Sequence, residues 1–193
     1  MNSQEWAERE KRLTRIRRLS AFMKWAVTLV LALMVLLGAV ILFEVAMPSN
    51  LLIDPNETID IAEVERKIGE IPYGQRLGIA VLFWVAIACL SLSIWNIRQV
   101  FKRFQMMEFF SPKTLANVIS IGVWLIIFAV FDLISDPIGS VILTYDLPPG
   151  ERSLEVSLDG AEIFCFILGA LMLLFGWILR EAALIADENR QFV

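Results

Sequence analysis

The chain has no histidine among its 193 residues. Histidine is the commonest general base near neutral pH and the commonest transition-metal ligand, so its absence excludes Ser-His-Asp hydrolysis and His-based zinc chemistry. Cysteine is nearly absent too, with only Cys89 and Cys165. Cys165 is expected about one turn below a membrane face and Cys89 near mid-membrane, too far apart in depth to bridge, which leaves both as small packing residues. Charge is scarce, at 20% of residues, and none falls in the middle of the apolar stretches. An ionised group at the bilayer centre costs about 2.5 to 3.5 kcal/mol on insertion scales, a cost that ion- and proton-conducting proteins usually accept. Its absence counts against a proton-coupled transporter and leaves an intramembrane enzyme nothing to work with. No catalytic, cofactor or metal-binding signature stands out, and a non-enzymatic role is expected.

What the chain does have is hydrophobic residues, 58% of the total, arranged in blocks rather than stripes. Blocks of this kind indicate a bilayer. The four run Trp25 to Met47, Leu77 to Ile97, Leu115 to Ile134 and Ala161 to Leu179, that is 25–47, 77–97, 115–134 and 161–179. At about 1.5 Å per residue each can cross roughly 30 Å of hydrocarbon, and inside lipid a helix pairs all its own backbone groups. The expected fold is an all-α membrane protein, a single four-helix membrane domain over 1–193. The first block is too long and too far from the start of the sequence for a secretory signal, and three more spans follow it.

Lys and Arg orient the spans. Arg9, Lys11, Arg12, Arg15, Arg17, Arg18 and Lys24 precede the first, Arg98, Lys102, Arg103 and Lys113 lie between the second and third, and Arg180 and Arg190 follow the fourth. The other two loops hold only Arg66, Lys67, Arg76 and Arg152. Both termini and the middle loop are therefore placed in the cytoplasm, and the localisation expected is the cytoplasmic (inner) membrane. Acidic residues gather toward the outer face, so the net charge of -4 conceals a molecule basic inside and acidic outside. Direct nucleic-acid binding is not expected, and the bilayer itself is the first partner.

Residues 2–23 have the pattern of an amphipathic N-terminal helix, with Trp6, Leu13, Ile16, Leu19 and Met23 against Arg and Glu. Such a helix suits anionic headgroups; the alternative is a basic leader that continues span one. In the first outer loop, Ile59 to Ile68 has a helical pattern, broken by Pro72 and Gly74. Ser111-Pro112 supplies an N-cap and a proline at the first helical position, predicting a clean restart into span three. Between spans three and four, Val141, Leu143, Tyr145 and Leu147 alternate with polar residues, Pro148-Pro149-Gly150 turns the chain, and Leu154, Val156 and Leu158 alternate again. That pattern predicts a small extracytoplasmic β-hairpin.

Trp25, Trp95 and Trp177 sit at the cytoplasmic ends of their spans as interfacial anchors. Small residues recur at helical spacing, among them Ala86, Cys89 and Ser93, Gly122 and Ala129, and Cys165, Gly169 and Gly176, and they predict close helix packing. A candidate outer polar site consists of Glu44, Arg76, Asp132 and Glu162. One reading makes it a vestibule for a cation or cationic ligand; the other pairs Asp132 with Arg76 at the interface.

Glu108-Phe109-Phe110-Ser111-Pro112, then Ile121-Gly122, and the ending Arg180-Glu181-Ala182 through Asp187-Glu188-Asn189 to Phe192-Val193 form a recognisable set. In these segments the chain resembles a bacterial family of four-helix membrane proteins of unknown function. In that family a Phe-Thr/Ser-Pro turn opens span three, and a glycine is usual where this chain has Met107. Members are often encoded beside small helix-turn-helix regulators, so the resemblance implies a regulatory partnership and supplies no catalytic residues. The expected role is a membrane regulator or interaction protein that contacts a cytoplasmic regulatory protein through Phe109, Phe110, Phe192 and Val193, with Phe192-Val193 either docking on the partner or folding back beside the Phe109-Phe110 turn; a homo-oligomer is the other association expected. The alternative is a small transporter or channel subunit with an acidic outer mouth.

Overall fold

A computed structural model describes residues 3–46, 54, 56, 58–61, 64–148, 152, 154 and 156–191. Four long helices dominate: α1 Ser3–Ala46, α2 Tyr73–Gln105, α3 Pro112–Thr144 and α4 Gly160–Gln191. Each contains a segment long and apolar enough to cross a membrane, within Glu10–Val45, Tyr73–Gln105, Pro112–Thr144 and Gly160–Ala186. The helices overrun the apolar blocks because a helix need not end where its hydrophobicity does. α1 is the clearest case, since at 44 residues it would extend about 66 Å, more than twice a bilayer core of roughly 30 Å. No proline or glycine interrupts it before Gly38. The amphipathic stretch and the first span are thus one helix, which fits the basic leader rather than a separate helix lying on headgroups.

The β-hairpin expected between spans three and four does not form. Residues 141–144 are the last turn of α3, and Leu154, Val156 and Leu158 have no regular secondary structure and stand exposed. Leu143 also fits the face of a helix already under way, one turn on from Gly139 and Ser140, and Pro148 and Pro149 offer no N–H to a ladder. Strand pairing occurs instead where a helical piece was expected. β1 (Thr58–Ile61) and β2 (Val64–Lys67) pair antiparallel, Thr58 opposite Lys67 and Ile61 opposite Val64, and a short 3₁₀ turn, Ile68–Glu70, follows. The β-branched Ile59, Ile61 and Val64 prefer this extended backbone.

The chain divides into two compact units. The first comprises Met1–Ala32, Ser91–Leu125 and Ile167–Val193. Within it α3 and α4 meet at glycines: a Cβ on Gly122 would stand 2.6 Å from the Gly169 carbonyl oxygen, and one on Gly176 would stand 2.5 Å from Ile119 Cγ1. Ser93 Oγ donates to the Ile121 carbonyl at 3.5 Å across α2 and α3. Polar contacts tie α1 to α2, with Lys24 Nζ donating to Gln105 Oε1 at 3.1 Å and Arg98 Nε donating to Thr28 Oγ1 at 2.9 Å. Trp25, Trp95 and Trp177 are all exposed, as anchors require. Lys24 and Arg98 lie over the rings of Trp25 and Trp95.

The second unit comprises Leu33–Leu90 and Ile126–Phe166. Here Gly38 of α1 lies against Ile87 of α2, and Gly78 of α2 against Ile142 of α3. Cys89 and Ala129 are buried, and both cysteines are free thiols. The stripes of small residues therefore pack helices together, as their spacing predicts.

Candidate functional site

Two places concentrate chemistry among the described residues. One is the turn from α2 to α3, in the first unit. Glu108 N–H donates to the Arg103 carbonyl and Met107 N–H to the Phe104 carbonyl, at 3.1 and 3.2 Å. This pair of bonds is a Schellman motif, which places its C′ residue in the left-handed region, and Met107 has φ 62°. The position is one where glycine is free of strain. Four residues later Ser111 caps α3, its Oγ accepting from Thr114 N–H at 3.2 Å, and Pro112 occupies the first helical position. Thr114, 1% exposed, donates its hydroxyl to the Glu108 carbonyl at 2.6 Å. Arg103 and Glu108 form an ion pair at 3.2 Å.

A turn fixed from both sides holds its side chains in fixed directions. Phe109 folds inward against the Phe104 ring at 5.4 Å, and Phe104 meets Phe101 edge-on at 6.4 Å. Phe110 points outward at 64% exposure, with Met106 at 55%. Lys102 and Lys113 beside them are exposed. In the same unit a groove of about 440 Å³ runs between the start of α3 and the end of α4, past Leu115, Ile119, Arg180 and Leu184. Phe192 and Val193, the other candidate contact residues, lie outside the described residues.

The second place is a cleft of about 420 Å³ in the second unit. Ile79, Leu82, Phe83 and Ala86 of α2 form one wall, and Asp132, Asp136 and Ser140 of α3 face it. α3 extends ten residues past the apolar block that ends at Ile134, with Pro137 inside it. Asp132, Ser135 and Asp136, Gly139 and Ser140, and Leu143 consequently share one helical face. Asp136 Oδ2 accepts the Ser157 hydroxyl at 2.5 Å, Ser135 donates to the Asp132 carbonyl at 2.9 Å, and Ser140 donates to the Pro137 carbonyl at 3.0 Å.

The four residues expected at an outer polar site divide between separate roles. Asp132 lines the cleft, and Glu162, Asp136 and Asp159 lie close enough for their charges to act on it. Glu162 is only 6% exposed, and its Oε2 has no hydrogen-bond partner. Arg76 does not pair with Asp132: its Nε donates to the Ile71 carbonyl at 2.9 Å. Glu44 is fully buried in α1. Asp136 and the serines are the members that the sequence reading left out. Their helical spacing from Asp132 was the available signal, hidden by the turn-like composition of residues 135–140. Among the described residues no three acidic or cysteine side chains come together in a way that could hold a metal ion.

No protein-family model, curated protein or solved structure matches this chain.

Proposed function

We propose that the chain is a non-enzymatic regulator in the bacterial cytoplasmic membrane that binds a soluble protein through its α2–α3 turn. Both termini and this turn face the cytoplasm in this reading, supported by the concentration of Lys and Arg in those segments. The observation that carries it is Phe110: an aromatic ring 64% exposed on a turn held by a Schellman motif and a serine cap. Rigid, exposed aromatics flanked by cations make effective binding anchors, because little conformational entropy is lost when a partner covers them. Lys102 and Lys113 favour a partner surface that is acidic around an apolar pocket.

The test is affinity purification from native membranes in mild detergent, with mass spectrometry, comparing the natural chain with Phe110→Ala. The expected result is a soluble protein recovered with the natural chain and lost with the variant, while the amount of inserted protein is unchanged. Recovery of only lipids and copies of the chain itself, or equal recovery with Phe110→Ala, refutes the proposal. Orientation is tested separately by cysteine labelling in a Cys89→Ala, Cys165→Ala background. A cysteine at Lys113 should be protected from an impermeant reagent outside the cell, and one at Arg152 should react.

A further inference from the structure

We propose that the groove between the start of α3 and the end of α4 holds one anionic phospholipid, its phosphate on Arg180 and an acyl chain along Leu115, Ile119 and Leu184. Lipid binding there requires no soluble partner at the α2–α3 turn. Two arginines follow an exposed interfacial tryptophan at the same spacing, Arg98 after Trp95 and Arg180 after Trp177. Arg98 is committed, because it lies over the Trp95 ring and donates Nε to Thr28 Oγ1 at 2.9 Å. Arg180 makes neither kind of contact, and it forms no hydrogen bond or ion pair among the described residues. It lines the groove instead.

Arg180 has no counter-ion on its own face of the helix. The residues three and four positions away, Gly176, Trp177, Ala183 and Leu184, are uncharged, and Glu181 is turned about 100° from it around the axis. Every other residue of the lining, Leu115 and Ile119 of α3 and Ala183 and Leu184 of α4 among them, is apolar. Lys113, exposed and next to Pro112 in the chain, adds a second positive charge nearby. A guanidinium with free donors on an apolar groove complements a phosphodiester that carries hydrocarbon, since arginine binds phosphate through paired N–H groups.

Depth selects a lipid over a protein. Gly176 lies against Ile119, so the inner end of the groove is level with Trp177, whose exposed ring marks the membrane interface. From Gly176 to Leu184 the helix rises about 12 Å, and the headgroup layer is roughly 5 to 8 Å deep on each side of the hydrocarbon. The groove therefore crosses that layer and opens inward toward the acyl chains, with Arg180 about 4.5 Å beyond Trp177, among the headgroups. A soluble protein would have to displace headgroups to enter it. The end of α4 leaves it open, because the helix continues to Gln191 and rises away from it. Basic pockets between spanning helices are sites where anionic headgroups bind.

The experiment is native mass spectrometry of the full chain, released from mild detergent after titration with dioleoylphosphatidylglycerol or dioleoylphosphatidylcholine. The expected result is one phosphatidylglycerol bound at least ten-fold tighter than phosphatidylcholine and not displaced by a large molar excess of glycerol phosphate, which has the anion without the chains. Arg180→Gln should remove the preference. Ala183→Phe, which fills the groove and keeps the charge, should weaken phosphatidylglycerol at least ten-fold, with circular dichroism unchanged in both variants. Arg15→Gln, which removes a charge from α1, should bind as the natural chain does. Equal binding of the two lipids, displacement by glycerol phosphate, natural binding in a well-folded Arg180→Gln or Ala183→Phe variant, or an equal loss with Arg15→Gln would overturn the proposal. So would a second copy of the chain in the groove, seen as a lipid-free dimer that Ala183→Phe dissociates. If a variant does not fold, the lipid and glycerol phosphate series on the natural chain decides.

Discussion

Replacing Gly122 with alanine tests whether α3 and α4 approach as closely as they do because a side chain is missing. A Cβ at this position would lie 2.6 Å from the Gly169 carbonyl oxygen and 2.9 Å from both the amide nitrogen and Cγ of Leu173. Two of those three atoms are backbone, so no change of rotamer removes the clash and the helices must separate locally. Overpacking costs about 1 to 3 kcal/mol, and immobile neighbours place Gly122 near the upper end. Alanine returns about 0.8 to 1 kcal/mol of helix propensity. The net expectation is a loss of about 2 kcal/mol. Gly139, in the same helix, supplies the control, since its Cβ would meet only Ile79 Cδ1 at an ordinary 3.6 Å. Gly139→Ala should be neutral or up to about 1 kcal/mol more stable. Gly176→Ala falls between them, because the tightest atom, Ile119 Cγ1 at 2.5 Å, belongs to a side chain that can move. Reversible unfolding in mixed micelles with increasing SDS, followed by tryptophan fluorescence, measures all three. A Gly122→Ala protein as stable as Gly139→Ala would refute the claim that the α3–α4 seam is closed by backbone contact.

Two further substitutions examine other parts of the same unit. Met107→Gly should stabilise the chain by about 1 kcal/mol in the same unfolding assay, because a non-glycine residue in the left-handed region costs roughly 1 to 2 kcal/mol and a half-buried methionine side chain returns part of it. No gain would mean that the side chain of Met107 contributes as much as its backbone costs. Thr28→Val keeps the shape of the side chain but removes the acceptor that Arg98 Nε uses at 2.9 Å. Interhelical hydrogen bonds in membranes average about 0.6 kcal/mol and reach about 1.7, and the charged donor places this one near 1 kcal/mol or above. A double-mutant cycle with Arg98→Met should recover that coupling, and a cycle that closes at zero would show that the α1–α2 contact does not rely on it.

The parts of the fold visible in the sequence are those governed by one strong local cause. Long apolar blocks can only be helices in lipid, Ser111-Pro112 can only open a helix cleanly, and Gly122, Gly169 and Gly176 leave room that nothing but a neighbouring helix fills. The failures come where two weak signals compete. Val141, Leu143, Tyr145 and Leu147 alternate like a strand, yet they follow a helix that has no reason to stop, and continuing an existing helix is easier than starting a hairpin. Ile59 to Ile68 has helical spacing, but so short a segment has little helical stability of its own, and its β-branched residues pair as strands instead. Polar contacts at long sequence separation, such as Lys24 with Gln105 and Arg98 with Thr28, left no local trace.

The acidic cleft was half visible for a related reason. Asp132 stands inside an apolar block and attracts notice, whereas Asp136 belongs to Ser135-Asp136-Pro137-Ile138-Gly139-Ser140, a composition typical of turns. Proline within a helix forfeits the bond to the carbonyl four residues back, here that of Leu133. The helix nonetheless continues to Thr144, and hydroxyls bond backbone carbonyls along this stretch: Ser135 that of Asp132, Ser140 that of Pro137, Thr144 that of Ser140. Asp132 and Asp136, four residues apart and both before the proline, share a face by helical spacing alone, and the helix that continues past Pro137 adds Gly139, Ser140 and Leu143 to it.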